Sequence, residues 1–235
     1  MTVAVVVGAG PGLGLSIARR FGAAGYDIAL VGRTRSTLDA GAEELARTGV
    51  TAGCFVADVT DRRALIDAFE AIRAQFGDID VLGYSPFPRD TTEATVTGAT
   101  EVTAESLQPY LELFLFGGVT SVRQVLPGMI GRGRGTIIVT TGASSGPVVH
   151  PPLGNIAAAS GALRNWVLNL HEELRDTGVY VAHVALATWI GRAGPASMPD
   201  TIARTYLDLH RERRVAEVVY GEHGVGSPPP AAPVR

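Results

Sequence analysis

Apolar residues along this chain follow two alternating rhythms. Short runs rich in β-branched side chains (TVAVVVG, DIALVG, AGCFVA, IDVLGYS, GTIIVTT and VYVAHVAL) read as strands. Between them lie longer segments whose apolar positions recur at helical spacing: LGLSIARRFGAAG, TLDAGAEELARTG, RRALIDAFEAIRAQFG, the stretch from Glu105 to Ile130, and NIAAASGALRNWVLNLHEELRDTG. Such alternation predicts a doubly wound α/β fold, a parallel sheet with helices on both faces. Gly25, Gly49, Gly77 and Gly178 fall where helices should end. The Thr-rich segment from Phe87 to Glu105 is poor in large apolar side chains and predicts a surface loop bordering a pocket.

The first strand runs into Gly8-Ala-Gly10-Pro-Gly12-Leu13-Gly14 and then a helix. Glycines at that spacing let the backbone approach a pyrophosphate, and the helix N-terminus meets its charge. The strand-turn-helix context makes this a dinucleotide-binding Rossmann fold, one domain over residues 1–222 with a disordered Pro-rich tail over 223–235. After the second strand, where NAD-binding folds place an acid, the chain has Gly32-Arg33-Thr34-Arg35. That favours a 2′-phosphate, hence NADP(H) over NAD(H), although both arginines also suit a solvated surface. Asp58, followed by Val59 at the end of the third strand, lies on the same ligand-facing edge. It also suits a helix N-cap.

Charge and composition narrow the classes. The net charge is -3, and no basic stripe offers itself to a phosphate backbone, so nucleic acid is not an expected partner. No apolar run approaches the roughly 20 residues of a spanning helix and no charged leader precedes the first strand, which predicts a cytoplasmic protein without membrane contact. Cys54 is the only cysteine, so neither a disulfide nor a cysteine-rich metal site is expected. All 20 basic residues are arginine; the chain contains no lysine.

Together the glycine spacing of Gly8, Gly12 and Gly14, the arginine after the second strand, the Asp58-Val59 pair and the order of elements through about Gly221 resemble the short-chain dehydrogenase/reductase family. The resemblance implies an NADP(H)-dependent oxidoreductase acting on a small molecule, in which Asp58 meets the adenine. It also implies a homodimer or homotetramer built on the long helices after the fourth and fifth strands. The apolar run Leu111, Leu113, Phe114, Leu115 and Phe116 fits burial there, or a thickly covered core helix.

The family's catalytic residues do not carry over. Its Asn-Asn-Ala-Gly turn falls on Gly83-Tyr84-Ser85-Pro86-Phe87 and its helical Asn on Phe114. Its serine falls on Gly142, and its Tyr-x-x-x-Lys pair on Ile156 and Ser160. The family's tyrosine donates a proton because a lysine ammonium lowers its pKa, and a chain without lysine has no such group in any register. Its Pro-Gly-x-x-x-Thr segment reads Leu186-Ala187-Thr188-Trp189-Ile190-Gly191.

Substitutes lie on neighbouring loops. His150 is the best single acid or base, or an ordinary loop histidine between prolines. Tyr84 offers a phenol whose pKa should stay near its usual value of about 10, or only packing. Ser144, with Ser145, Thr140 and Thr141, could orient a carbonyl or serve turn chemistry. Asn155 adjoins the lost tyrosine position. Arg164 offers charge to a ribose or phosphate, and Trp166 and Trp189 read as core or pocket wall. Three classes remain: an NADP(H) oxidoreductase with non-standard proton supply, a non-redox cyclase, lyase or isomerase on the same scaffold, and a catalytically silent binding subunit needing no cofactor.

Overall fold

In a computed structural model, which describes residues 2–88 and 96–221, seven strands form one parallel sheet in the order β3-β2-β1-β4-β5-β6-β7. The strands are β1 Val3–Val7, β2 Asp27–Gly32, β3 Ala52–Val56, β4 Val81–Tyr84, β5 Gly135–Gly142, β6 Val179–Leu186 and β7 Glu217–Tyr220. Strands covered by helices on both faces need apolar side chains on both, which is why β1, β5 and β6 are nearly continuous apolar runs. Helices α3 Arg62–Phe76, α5 Gly117–Arg132 and α6 Gly154–Glu173 cover one face through Leu65, Phe69, Val122, Leu163 and Val167. Helices α1 Leu13–Ala23, α2 Arg35–Ala46 and α7 Pro199–Glu212 cover the other through Ile17, Phe21, Leu38, Leu45, Ile202 and Tyr206.

Six strands and five of the helical segments lie where the sequence pattern puts them, and Gly25, Gly49, Gly77 and Gly178 all have positive φ. The pattern missed α7 and β7. The long helical stretch is also subdivided: α4 Ala104–Tyr110 enters a π-helical turn, Leu111–Phe116, before α5. Glu105 therefore belongs to a helix, where Thr103 and Ser106 form a reciprocal capping box, and the remainder of the expected loop falls partly outside the described residues. The expected tail at 223–235 lies outside them entirely.

Within the 29 residues of Ala104–Arg132 an 18-residue window reaches a mean hydropathy of 1.3, enough by length and composition alone to cross a membrane. Its apolar character has a use within the domain, because Tyr110, Phe114, Val122, Val125 and Met129 are buried against the sheet.

Candidate functional site

The strand order reverses between β1 and β4, and the crevice outside the carboxyl ends of the strands at that point is where doubly wound folds bind ligands. A cavity of about 780 Å³ occupies it. Gly8, Gly10, Gly12, Leu13, Gly14, Arg33, Asp58 and Val59 all line it, as do Ser144, His150, Gly142 and Ile156. One continuous space therefore joins the glycine-rich end to the loops after β5 and β6.

At the glycine end, the chain turns with Gly8 at φ +90°, and a Cβ there would meet the Ser85 carbonyl oxygen at 2.6 Å. A Cβ on Gly14 would collide with the Gly8 carbonyl, so both glycines are required by the protein's own packing. Gly10 and Gly12 differ, since an added Cβ at either meets nothing within 4 Å. Those two positions leave a cradle that a ligand can approach. Helix α1 starts there without a side-chain cap or an acid in its first turn, leaving its positive end to an incoming anion.

Arg33 is exposed at the lip, and among the described residues it makes no ion pair, whereas Arg35 is held by Asp39 at 2.9 Å. Of these two arginines, Arg33 is the one without a carboxylate partner among the described residues. Asp58 is not the cap of α3; that place belongs to Asp61, which accepts from the Arg63 and Ala64 amides, both at 3.0 Å. Asp58 Oδ1 instead accepts from the Thr60 amide and hydroxyl at 3.0 and 2.8 Å, which turns the carboxylate onto the cavity wall.

At the other end the proposed substitutes separate. Tyr84 is fully buried and does not line the cavity; its hydroxyl donates to the Leu113 carbonyl at 2.5 Å, tying β4 to the π-helical turn. Burial, with the Asp58 charge adding to it, pushes its phenol well above the ordinary value, contrary to the sequence expectation. Tyr84 is therefore a packing and tethering residue. Ser160 is likewise buried off the cavity, its hydroxyl donating to the Ile156 carbonyl at 2.7 Å. Arg164 does not point into the cavity either. It grips Glu217 with two hydrogen bonds of 2.6 and 2.7 Å.

Asn155 accepts from the Thr97 and Ile156 amides and donates to the Ser106 carbonyl, so it pins the preceding loop to α6. Ser144 and His150 do reach the cavity, and Trp189 and Ile190, both more than a third exposed, form its outer wall. Trp166 packs at the edge of the core. Among the described residues no cluster of His, Cys, Asp and Glu could hold a metal ion.

Beneath the cavity floor the structure assembles a polar row that the sequence pattern did not reveal. Thr141 Oγ1 faces three acceptors for its one proton, His183 Nε2 at 2.8 Å, Ser145 Oγ at 2.9 Å and the Gly142 carbonyl at 3.1 Å, and His183 Nδ1 lies 2.8 Å from Glu217 Oε1. Thr141 and His183 come from adjacent strands, one pleat apart in the β5–β6 register, which puts both side chains on the face covered by α6. His183 is completely buried and Thr141 lines the cavity. The available signal was a histidine inside an otherwise apolar buried strand, which needs partners.

A glycine cradle at a helix N-terminus, an arginine after β2 and a cavity at the switch point thus lie together at one edge of this α/β sheet. The family model for short chain dehydrogenases matches residues 2–189, and the chain belongs to that oxidoreductase family. The chain is 32% identical over 184 residues to the NADP-dependent 3-hydroxy acid dehydrogenase YdfG of Salmonella typhi, covering 77% of this chain and 70% of that one. It is 28% identical over 204 residues to oxidoreductase asL5 of Sarocladium schorii, covering 87% and 75%. Among solved structures, L-sorbose reductase of Gluconobacter frateurii, complexed with NADPH and L-sorbose, superposes with a TM-score of 0.80 at 25% identity over 95% of this chain and 96% of that one.

Proposed function

We propose that this protein is an NADP(H)-dependent oxidoreductase that interconverts a small carbonyl compound and its alcohol without the family's tyrosine and lysine. The observation that carries this reading is the continuity of the cavity: one space runs from the Gly10–Gly12 cradle and Arg33 to Thr141, Ser144 and His150. The first half would hold the adenine and pyrophosphate of a dinucleotide, and the second would be left to the nicotinamide and substrate.

The residues fit the cofactor. The open faces of Gly10 and Gly12 and the uncapped start of α1 would hold the pyrophosphate, Arg33 the 2′-phosphate, and Asp58 and Val59 the adenine. When bound, the nicotinamide supplies or accepts a hydride. Everything else falls to this chain. The walls around Ile156, Leu153, Leu186 and Trp189 are apolar and exclude water from the reacting carbon. Ser144 donates a hydrogen bond that orients the substrate oxygen, and His150 stands at the cavity mouth as a second polar contact.

The relatives support the cofactor assignment, since YdfG is named as NADP-dependent and the sorbose reductase is a complex with NADPH. The test is consumption of NADPH with a panel of small aldehydes and ketones, comparing wild type with Arg33→Glu. Turnover that depends on Arg33 supports the reading; turnover of a substrate with no nicotinamide present points instead to a cyclase, lyase or isomerase. That second reading rests on Ile156, an aliphatic side chain on the cavity wall where the family's tyrosine would stand.

A further inference from the structure

We propose that Thr141, His183 and Glu217 form the proton relay of this cavity, with Thr141 as the group that exchanges a proton with the substrate oxygen. The inference deepens the oxidoreductase reading and rests on it for the identity of the reaction. Its basis is a row of groups at hydrogen-bond distance, from the cavity wall at Thr141 through buried His183 to Glu217.

The row has a definite polarity. Arg164 binds Glu217 through two charge-assisted hydrogen bonds and keeps its carboxyl below the usual carboxylate range, so Glu217 is an anion and only accepts. His183 Nδ1 must then carry a proton to donate to Glu217, which leaves Nε2 of the neutral ring as an acceptor facing Thr141. A hydroxyl against a histidine oriented by a carboxylate is the arrangement that lets a ring take a proton through an intervening oxygen. The charged groups facing His183 are Glu217 from β7 and Arg164 from α6; Thr141 from β5 and Ser145 from the turn after it are neutral. Burial lowers the pKa of His183, so near neutrality it is poised as a base.

In the oxidation direction a substrate alcohol passes its hydroxyl proton to Thr141 Oγ1 while the original Thr141 proton moves to His183 Nε2. A bound oxidised nicotinamide would supply the acceptor for the hydride as the C–H bond breaks and the C–O bond becomes a carbonyl. The proton left on His183 is stabilised by the Glu217 carboxylate, which is 19% exposed, and is released to water. Reduction runs the same steps in reverse, with one proton taken from water for each hydride delivered. Positioned proton transfer of this kind contributes roughly 10²–10⁴-fold.

Two readouts test the relay. The first needs no cofactor: ¹⁵N NMR of the His183 ring while the cavity is titrated with 2,2,2-trifluoroethanol. Wild type and Thr141→Ser should show a shift at Nε2, and Thr141→Val, which has the same shape without the hydroxyl, should not. The second is turnover of NADPH with the carbonyl panel. Thr141→Val should lower kcat by about 100-fold or more with unchanged NADPH affinity, and Thr141→Ser should recover most of it. The bend in the pH profile should coincide with the His183 pKa measured by NMR, and Glu217→Gln should move both together to lower pH.

An unresponsive His183, or a Thr141→Val enzyme as fast as wild type, would overturn the relay. A responsive His183 in a protein that consumes no NADPH would leave the relay standing as an acid–base device and sink the redox reading instead.

Discussion

Replacing Gly10 by Ala separates the cradle from the fold. A methyl group at Gly10 meets no protein atom within 4 Å, whereas one at Gly14 collides with the Gly8 carbonyl. Removing a glycine where the backbone tolerates a side chain stabilises a protein by about 0.4–1 kcal/mol through the unfolded state. Forcing a methyl into a filled space costs about 1–3 kcal/mol. At roughly 2–4 °C per kcal/mol for a chain of this size, Gly10→Ala should melt within a few degrees of wild type, at or above it. Gly14→Ala should melt about 2–12 °C lower. Binding should not follow stability. If the proposed pyrophosphate site is correct, the Gly10 methyl takes up its space and NADPH affinity should fall by at least about tenfold, or roughly 1.4 kcal/mol. Calorimetric titration and thermal melting on the same samples decide the matter. A Gly10→Ala protein that binds NADPH like wild type would refute the cradle, whatever its melting temperature.

Other predictions follow from single contacts. Arg33→Ala should weaken NADPH binding by about tenfold or more and leave NADH nearly unchanged, because an exposed charge-assisted contact to the 2′-phosphate sits near the low end of about 1.5–3 kcal/mol; urea melts should show no stability change. Tyr84→Phe should lower the urea midpoint by removing the hydrogen bond to the Leu113 carbonyl, worth about 0.5–1.5 kcal/mol, while leaving NADPH affinity as it was. Acid should destabilise the fold in two stages. Buried His183 and half-buried His210 have lowered pKa values, so as pH falls below 6.5 the unfolded chain takes up protons that the native state refuses, and stability drops. Glu217, held low by Arg164, adds stability that is fully present above 4.5 and is lost as pH falls through its native value. Denaturant melts from pH 7 to 3 should show both stages, and Glu217→Gln should flatten the second.

The fold was legible because each strand and helix announces its own period, and the buried parallel sheet makes its strands unusually apolar. The segment Pro199–Glu212 was missed although its amphipathic pattern is strong, because no recognisable strand follows it: EVVY is four residues long and half exposed. The glycine end of the site was legible for the same local reason, since strand, turn and helix are contiguous in sequence.

The other end was not. Tyr84 read as a phenol beside a pocket because sequence shows that it ends a strand, but not that its ring turns inward to the Leu113 carbonyl. Arg164 read as a ligand for phosphate, yet its partner Glu217 lies 53 residues away on a strand the pattern had not identified. The row from Thr141 to Glu217 depends on strand order, with β5, β6 and β7 side by side, and that order is a property of the sheet rather than of any one segment.

The central claim is that the cavity holds NADP(H) along its whole length. Calorimetric titration of wild type with NADPH, NADP⁺, NADH and 2′,5′-ADP tests it most directly. The account predicts that NADPH binds more tightly than NADH, through Arg33, and more tightly than 2′,5′-ADP, through contacts made by the nicotinamide half. Equal affinity for NADPH and 2′,5′-ADP, or binding of neither, would contradict it.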